Sequence, residues 1–78
     1  MKKNFLFDGA KFQTSSKGTD YAKIYLRELD DFGSPVMEQT TFISFNPNVI
    51  QKAKSINAGE SIIADLKITQ ATIEDLEV

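Results

Sequence analysis

The segment at residues 20–27 alternates two kinds of side chain, and one kind could bind a nucleic acid. The aromatic and basic residues at every second position are Tyr21, Lys23, Tyr25 and Arg27. In a β-strand these four lie on one face, because successive side chains point to opposite sides. Rings can stack on the bases of a single nucleic-acid strand, and cations can neutralise its phosphates. Such residues are also ordinary on the solvent-exposed face of a sheet, so the pattern leaves both interpretations open.

Charge is distributed unevenly along the 78 residues. Residues 1–27 hold six Lys or Arg and two Asp, a balance of +4, whereas residues 28–78 hold three Lys and nine acids, a balance of −6. The asymmetry favours an anion-binding face built from the first third of the chain, which includes Lys11 and Lys17. Chance clustering in a short chain is the alternative.

The composition argues against an enzyme. The chain has no cysteine and no histidine, so disulfides, thiolate metal sites and imidazole chemistry are excluded. The adjacent acids Asp30 and Asp31 precede Gly33 and Pro35, which is typical of a turn. We therefore expect no catalytic residues, no metal and no cofactor.

The length predicts one small domain, residues 1–78. No apolar run approaches the ~18 residues of a membrane span. Met1, Lys2 and Lys3 are followed by too short an apolar stretch for a signal peptide. We therefore expect a soluble, cytoplasmic protein (in the host cytoplasm, if the chain is phage-encoded).

Five strands and one helix are predicted. The strands are expected at residues 4–13 with a bend at Asp8 and Gly9, and at 20–29, 36–45, 61–69 and 72–78. Asn46 and Pro47 predict the cap and first position of a helix of about ten residues. The facing of the third strand is ambiguous, because apolar residues occur on both sides of its alternation. Ile63, on the polar side of the fourth strand, is a candidate subunit contact whose alternative is ordinary edge packing.

Three strands, a helix and two strands is the order of the OB-fold, a five-stranded barrel that binds oligonucleotides or oligosaccharides. The predicted class is thus mainly β, with the helix between strands three and four. Another small α+β fold, such as a mixed sheet with one packed helix, is the alternative.

Two segments carry a family resemblance. Residues 42–63, FISFNPNVIQKAKSINAGESII, resemble the third-strand, helix and fourth-strand segment of single-stranded DNA-binding proteins. Residues 16–21, SKGTDY, are similar to the first hairpin of small phage helix-destabilising proteins. The resemblance covers most of the chain through patterns of residue type. It implies that the second-strand residues named above, Gln39, Thr41 and Phe45 occupy DNA-binding positions, although bacterial members usually have an aromatic residue where Gln39 stands.

The resemblance implies binding of single-stranded DNA without sequence preference. Tyr21, Tyr25 and Phe45 would stack on bases. The neutralising cations would be Lys23, Arg27, Lys17 and, more weakly, Lys11. Single-stranded RNA is an alternative ligand, a homodimer or cooperative oligomer is expected, and replication proteins are candidate partners. The rival hypothesis is an OB-like module that binds a protein, as an accessory or inhibitory subunit, because Tyr and Arg also favour protein interfaces.

Overall fold

A computed structural model describes residues 2–66 and 73–77. Within them the strands and the helix follow the predicted order, so a mainly β fold with five strands and one short helix is confirmed. The elements are β1 (Lys2–Thr14), β2 (Asp20–Glu28), β3 (Thr40–Ser44), α1 (Pro47–Ser55), β4 (Ser61–Leu66) and β5 (Ile73–Glu77). Residues 67–69, 72 and 78 of the last two predicted strands lie outside the described residues.

The strands form one antiparallel sheet in the order β3-β2-β1-β4-β5. The central strand, β1, pairs with β2 along most of its length and with β4 through its first residues. The two edge strands approach each other where the Asn46 side-chain amide donates to the Glu74 carbonyl at 3.4 Å. No ladder joins β3 to β5 in the described ranges, so the sheet is open there. Its closure into a barrel stays a prediction.

A β-bulge divides β1 at the predicted bend. The register with β2 shifts between Phe7 and Gly9, which leaves Asp8 as the extra residue. Gly9 has φ 141°, a conformation that residues with a side chain rarely adopt. One extra residue inverts the alternation of a strand. Phe7 therefore faces the core before the bulge, and Lys11 faces away from it afterwards.

The inner face of the sheet packs against α1 and forms one core. The buried apolar residues are Phe5, Phe7, Ala22, Ile24, Leu26, Phe42, Val49, Ile50, Ala53, Ile56, Ile62, Ala64, Ile73 and Leu76. The alternate residues of β2 are completely buried, as their spacing predicts. The helix begins as predicted: the Asn46 side chain accepts the Asn48 N–H at 2.9 Å, and Pro47 occupies the first turn.

The third strand is shorter than predicted. It begins at Thr40, because the chain before it forms an ordered turn in which the Val36 N–H donates to the Glu28 carbonyl and Leu29 bridges Pro35. Its facing is also resolved, since the Phe42 ring packs edge-on against Phe5, with 5.7 Å between centroids. The side chains that alternate with Phe42 therefore point away from the core.

No helix within the described part of the chain is long and apolar enough to cross a membrane.

Candidate functional site

The outer face is the side of β1, β2 and β3 that points away from the core. Its members include Leu6, Lys11 and Gln13 from β1; Tyr21, Lys23, Tyr25 and Arg27 from β2; Thr41 and Ile43 from β3; Asp8 at the bulge; and Phe45 just after β3. The strand register arranges most of them in rows across the sheet, Gly9–Tyr25–Thr41 and Lys11–Lys23–Ile43, with Gln13 opposite Tyr21 in the next row.

Two lysines face each other at the centre of this surface. Lys11 of β1 lies directly opposite Lys23 of β2. Neither ammonium forms an ion pair with any residue in the ranges 2–66 and 73–77, and the same holds for Lys17 in the β1–β2 turn. Like charges placed directly opposite in adjacent strands destabilise a sheet. The pair therefore forms a positive site that an anion could stabilise.

Two aromatic rings lie at the β1–β2 turn end of the face. Tyr21 and Phe45 pack together with 5.4 Å between ring centroids and 34° between ring planes. The Tyr21 hydroxyl donates a 2.8 Å hydrogen bond to Gln13 Oε1, which fixes the orientation of the tyrosine ring. Phe45 remains 54% exposed. The pair thus forms an aromatic surface of fixed orientation next to the lysines.

Tyr25 lies in the row on the other side of the lysines. Its neighbour on β1 is Gly9, and its neighbour on β3 is Thr41. Gly9 has no side chain, and a Cβ built on it would meet no atom within 4 Å, so the β1 flank of Tyr25 is open. The half-buried ring could accept a flat, apolar group such as a nucleobase.

Arg27 is held by an acid at the opposite end of the face. Its Nε lies 2.9 Å from Asp8 Oδ2, although the N–H is not aligned on that oxygen, so the contact is an ion pair rather than a well-formed hydrogen bond. Gln39 Nε2 donates to the same oxygen at 3.0 Å. The Gln39 hydrogen bond is the main cause that holds the pKa of Asp8 below its ordinary value; burial opposes it, and the nearby Arg27 guanidinium lowers the pKa further. Asp8 therefore partly neutralises Arg27.

Most of the predicted site residues share this surface. Those on the outer face are Lys11, Tyr21, Lys23, Tyr25, Arg27, Thr41 and Phe45. Gln39 adjoins it through Asp8, whereas Lys17 lies beyond it in the turn. They therefore form one shared surface, and their binding of a nucleic acid stays a prediction.

Sequence reasoning missed Asp8, Gln13 and Ile43. A hairpin closed by the Thr14–Asp20 pair fixes the register back to the bulge, so the Gln13–Tyr21 contact could have been found from the turn. Asp8 lies at the bend that the sequence predicts, but its contact with Arg27 could not have been found, because it depends on the register of β1 against β2 on both sides of the bulge.

The described residues contain no group of acids placed to hold a metal ion. Comparison with protein-family models, with curated proteins and with solved structures found no match.

Proposed function

We propose that the chain binds single-stranded DNA, without sequence preference, on the outer face of β1, β2 and β3. The observation that carries the proposal is the Lys11–Lys23 pair, which lies between aromatic side chains and has no acidic partner among the described residues. Such a pair reduces the stability of the sheet and gains from a bound anion. Binding of a polyanion would explain why two lysines face each other here, whereas the stability of the fold does not explain it.

The spacing of rings and cations supports a strand rather than a small anion. Tyr25 lies on one side of the lysine pair, and the Tyr21–Phe45 pair lies on the other. A single strand presents bases and phosphates at regular intervals, and aromatic stacking contributes ~1–3 kcal/mol per base. Every base has a ring face, so this chemistry tolerates all sequences.

We also propose that the sheet is an open barrel of the OB type. The support is the central position of the bent β1, the placement of α1 between β3 and β4, and the approach of β3 to β5 at Asn46 and Glu74. In that fold the second and third strands bind oligonucleotides, and the outer face includes both.

Binding is electrostatic and stoichiometric in this proposal. Lys11, Lys17 and Lys23 neutralise phosphates and release counterions, while Arg27 contributes less because Asp8 competes for it. The acidic remainder of the chain repels DNA elsewhere and confines it to one surface. A site of this size corresponds to the low end of the roughly 4–16 nucleotides bound by one OB-fold.

Titration with oligo-dT, followed by tyrosine fluorescence, tests the proposal. The chain has two tyrosines and no tryptophan, so the signal comes entirely from the outer face. We expect saturable quenching at low salt, and in Tyr25→Ala a loss of affinity of about tenfold or more, with Tyr21 remaining as reporter. Met37→Ala, which removes a 97% exposed side chain from the loop between β2 and β3, is the control and should bind normally.

Absence of binding to oligo-dT and to oligo-U, at low salt and micromolar protein, would overturn the proposal and leave a protein-binding module as the better hypothesis. Equal binding of the two would support the site and show that it accepts RNA as well. Normal affinity of Tyr25→Ala would exclude stacking at that position.

A further inference from the structure

The loop between β2 and β3 exposes a large apolar side chain on a rigid support. Phe32 is 94% exposed. The Asp30 carboxylate accepts the N–H groups of Phe32 and Ser34, each at 2.9 Å, and the Gly33 N–H donates to the Asp30 carbonyl at 2.9 Å. The backbone that carries the ring is thus an ordered turn. An aromatic side chain on an ordered backbone is an effective anchor, because less conformational entropy is lost when it binds.

The charge of this loop excludes a nucleic acid as the ligand of Phe32. Residues 29–39, here called the acidic loop, contain Asp30, Asp31 and Glu38 and no lysine or arginine. A phosphate backbone would be repelled. The binding partner that fits Phe32 is a surface with an apolar depression and positively charged residues at its rim.

A hollow of that description lies at the other end of the same chain. Two adjoining depressions of about 230 Å³ and 360 Å³ lie between the β1–β2 hairpin and α1, and we call them the end cleft. Phe12, Phe45 and Ile50 supply apolar walls. Lys54 lines both depressions, with its ammonium 5.5 Å from the Phe12 ring centroid, and forms no ion pair with a described residue.

One acid also lines the end cleft. Asp20 accepts a 2.8 Å hydrogen bond from the Thr14 hydroxyl. Together with Lys54 and the nearby Lys17 of the turn, it leaves this end of the molecule with a positive balance, opposite in sign to the acidic loop.

The two features cannot meet within one molecule. The end cleft lies where β2 begins and the acidic loop follows where β2 ends, nine residues later, which is roughly 26 Å along a strand. We propose that the acidic loop of one copy docks in the end cleft of a second copy, with Phe32 between the apolar walls and Asp31 near Lys54. Because the two surfaces differ, the contact is head-to-tail and can repeat along a row of copies.

Sedimentation velocity of the chain alone, across a range of concentrations at low salt, tests this contact without nucleic acid. The wild-type chain should form dimers and longer species as concentration rises. Phe32→Ser and Lys54→Glu should each weaken association by about tenfold or more. Both side chains are exposed at the surface, so the fold should tolerate the changes, and circular dichroism verifies that it does.

Mixing the two variants tests whether the contact between copies is head-to-tail. Phe32→Ser retains an intact end cleft and Lys54→Glu an intact acidic loop, so a 1:1 mixture should form a dimer that grows no further. Met37→Ser, which removes another side chain of the same loop that is 97% exposed, is the matched control and should associate normally.

A wild-type chain that stays monomeric at millimolar concentration would overturn the inference, as would a mixture without dimers. Equal effects of Met37→Ser and Phe32→Ser would also overturn it, since they would indicate nonspecific apolar association. DNA binding could persist in all of these cases, so the inference and the proposed function can fail separately.

Discussion

At the scale of single residues, the outer face combines features that stabilise the fold with one that does not. Gln13 fixes Tyr21 through a hydrogen bond, and Asp8 holds Arg27 in an ion pair. Lys11 and Lys23 face each other without compensation from the described residues. We interpret this pair as part of a binding surface whose cost to folding is recovered in the complex.

Lys23→Gln should separate stability from binding. Removing one charge of the facing pair should raise the free energy of unfolding by about 0.2–1 kcal/mol, because the repulsion across the strands is lost. Affinity for oligo-dT should fall in the same variant. Urea unfolding and fluorescence titration measure the two effects, and a variant that is destabilised would contradict this interpretation of the pair.

The Asp8 carboxylate makes stability depend on pH in a predictable direction. Its folded-state pKa lies below the unfolded value near 3.8, so its contribution is complete above that value and is lost as pH falls through the folded-state pKa. Asp8→Asn should therefore be less stable than wild type at pH 7, and the difference should shrink as pH falls below about 4 and through the folded-state pKa. Urea unfolding across this range measures it.

The comparison with wild type is needed because the pKa of Asp75 is also lowered, by hydrogen bonds from Lys52 and from the Leu76 N–H. Asp75 therefore adds its own pH dependence to the stability of both proteins. A difference between wild type and Asp8→Asn that does not change with pH would contradict the assignment to Asp8.

At the scale of elements, the order of strands and helix was predictable from the sequence. The composition of the outer face was not, because it depends on long-range contacts. Alternation gave the buried side of β2, and Asn46 with Pro47 gave the start of α1, because both signals are local. The facing of β3 was not predictable, since the buried Ser44 looks like a surface residue. The Ser44 hydroxyl accepts a hydrogen bond from the Asn46 N–H at 3.2 Å, so this polar group has a partner although it is buried.

Substitutions in β3 should reveal its facing. Phe42→Ala should lower the free energy of unfolding by about 3–5 kcal/mol, since it empties a core position against Phe5. That is a large fraction of the stability of a domain of this size. Ile43→Ala, one residue later on the outer face, should cost much less. Chemical denaturation compares the pair, and a larger effect at Ile43 would show that the strand faces the other way.

The site itself was predictable only as a set of residue types. The four outer residues of β2 follow from alternation alone. The position of Lys11 opposite Lys23 required the bulge, because without the extra residue Lys11 would face the core side of β1. The Asp8–Arg27 pair has the same origin: Asp8 and Gly9 predict a bend, but no local pattern predicts which side chain Asp8 contacts.

At the scale of the whole molecule, the distribution of charge matters more than its sum. The net charge of −2 would suggest weak interaction with a polyanion. The outer face nevertheless collects lysines that form no ion pair with a described residue, while the acids concentrate in the second half of the chain. The central claim is that this one face binds a single strand through phosphate contacts and stacking.

The salt dependence of oligo-dT affinity tests that claim most directly. Neutralisation of three or four phosphates predicts a slope of log affinity against log salt of about −2 to −3, and Lys23→Gln should make it shallower by about 0.7. Lys52→Gln removes the same charge from α1, where Lys52 pairs with Asp75 at 2.7 Å, and should leave the slope unchanged. Equal slopes for wild type and both variants, or a larger effect at Lys52, would contradict binding on the outer face.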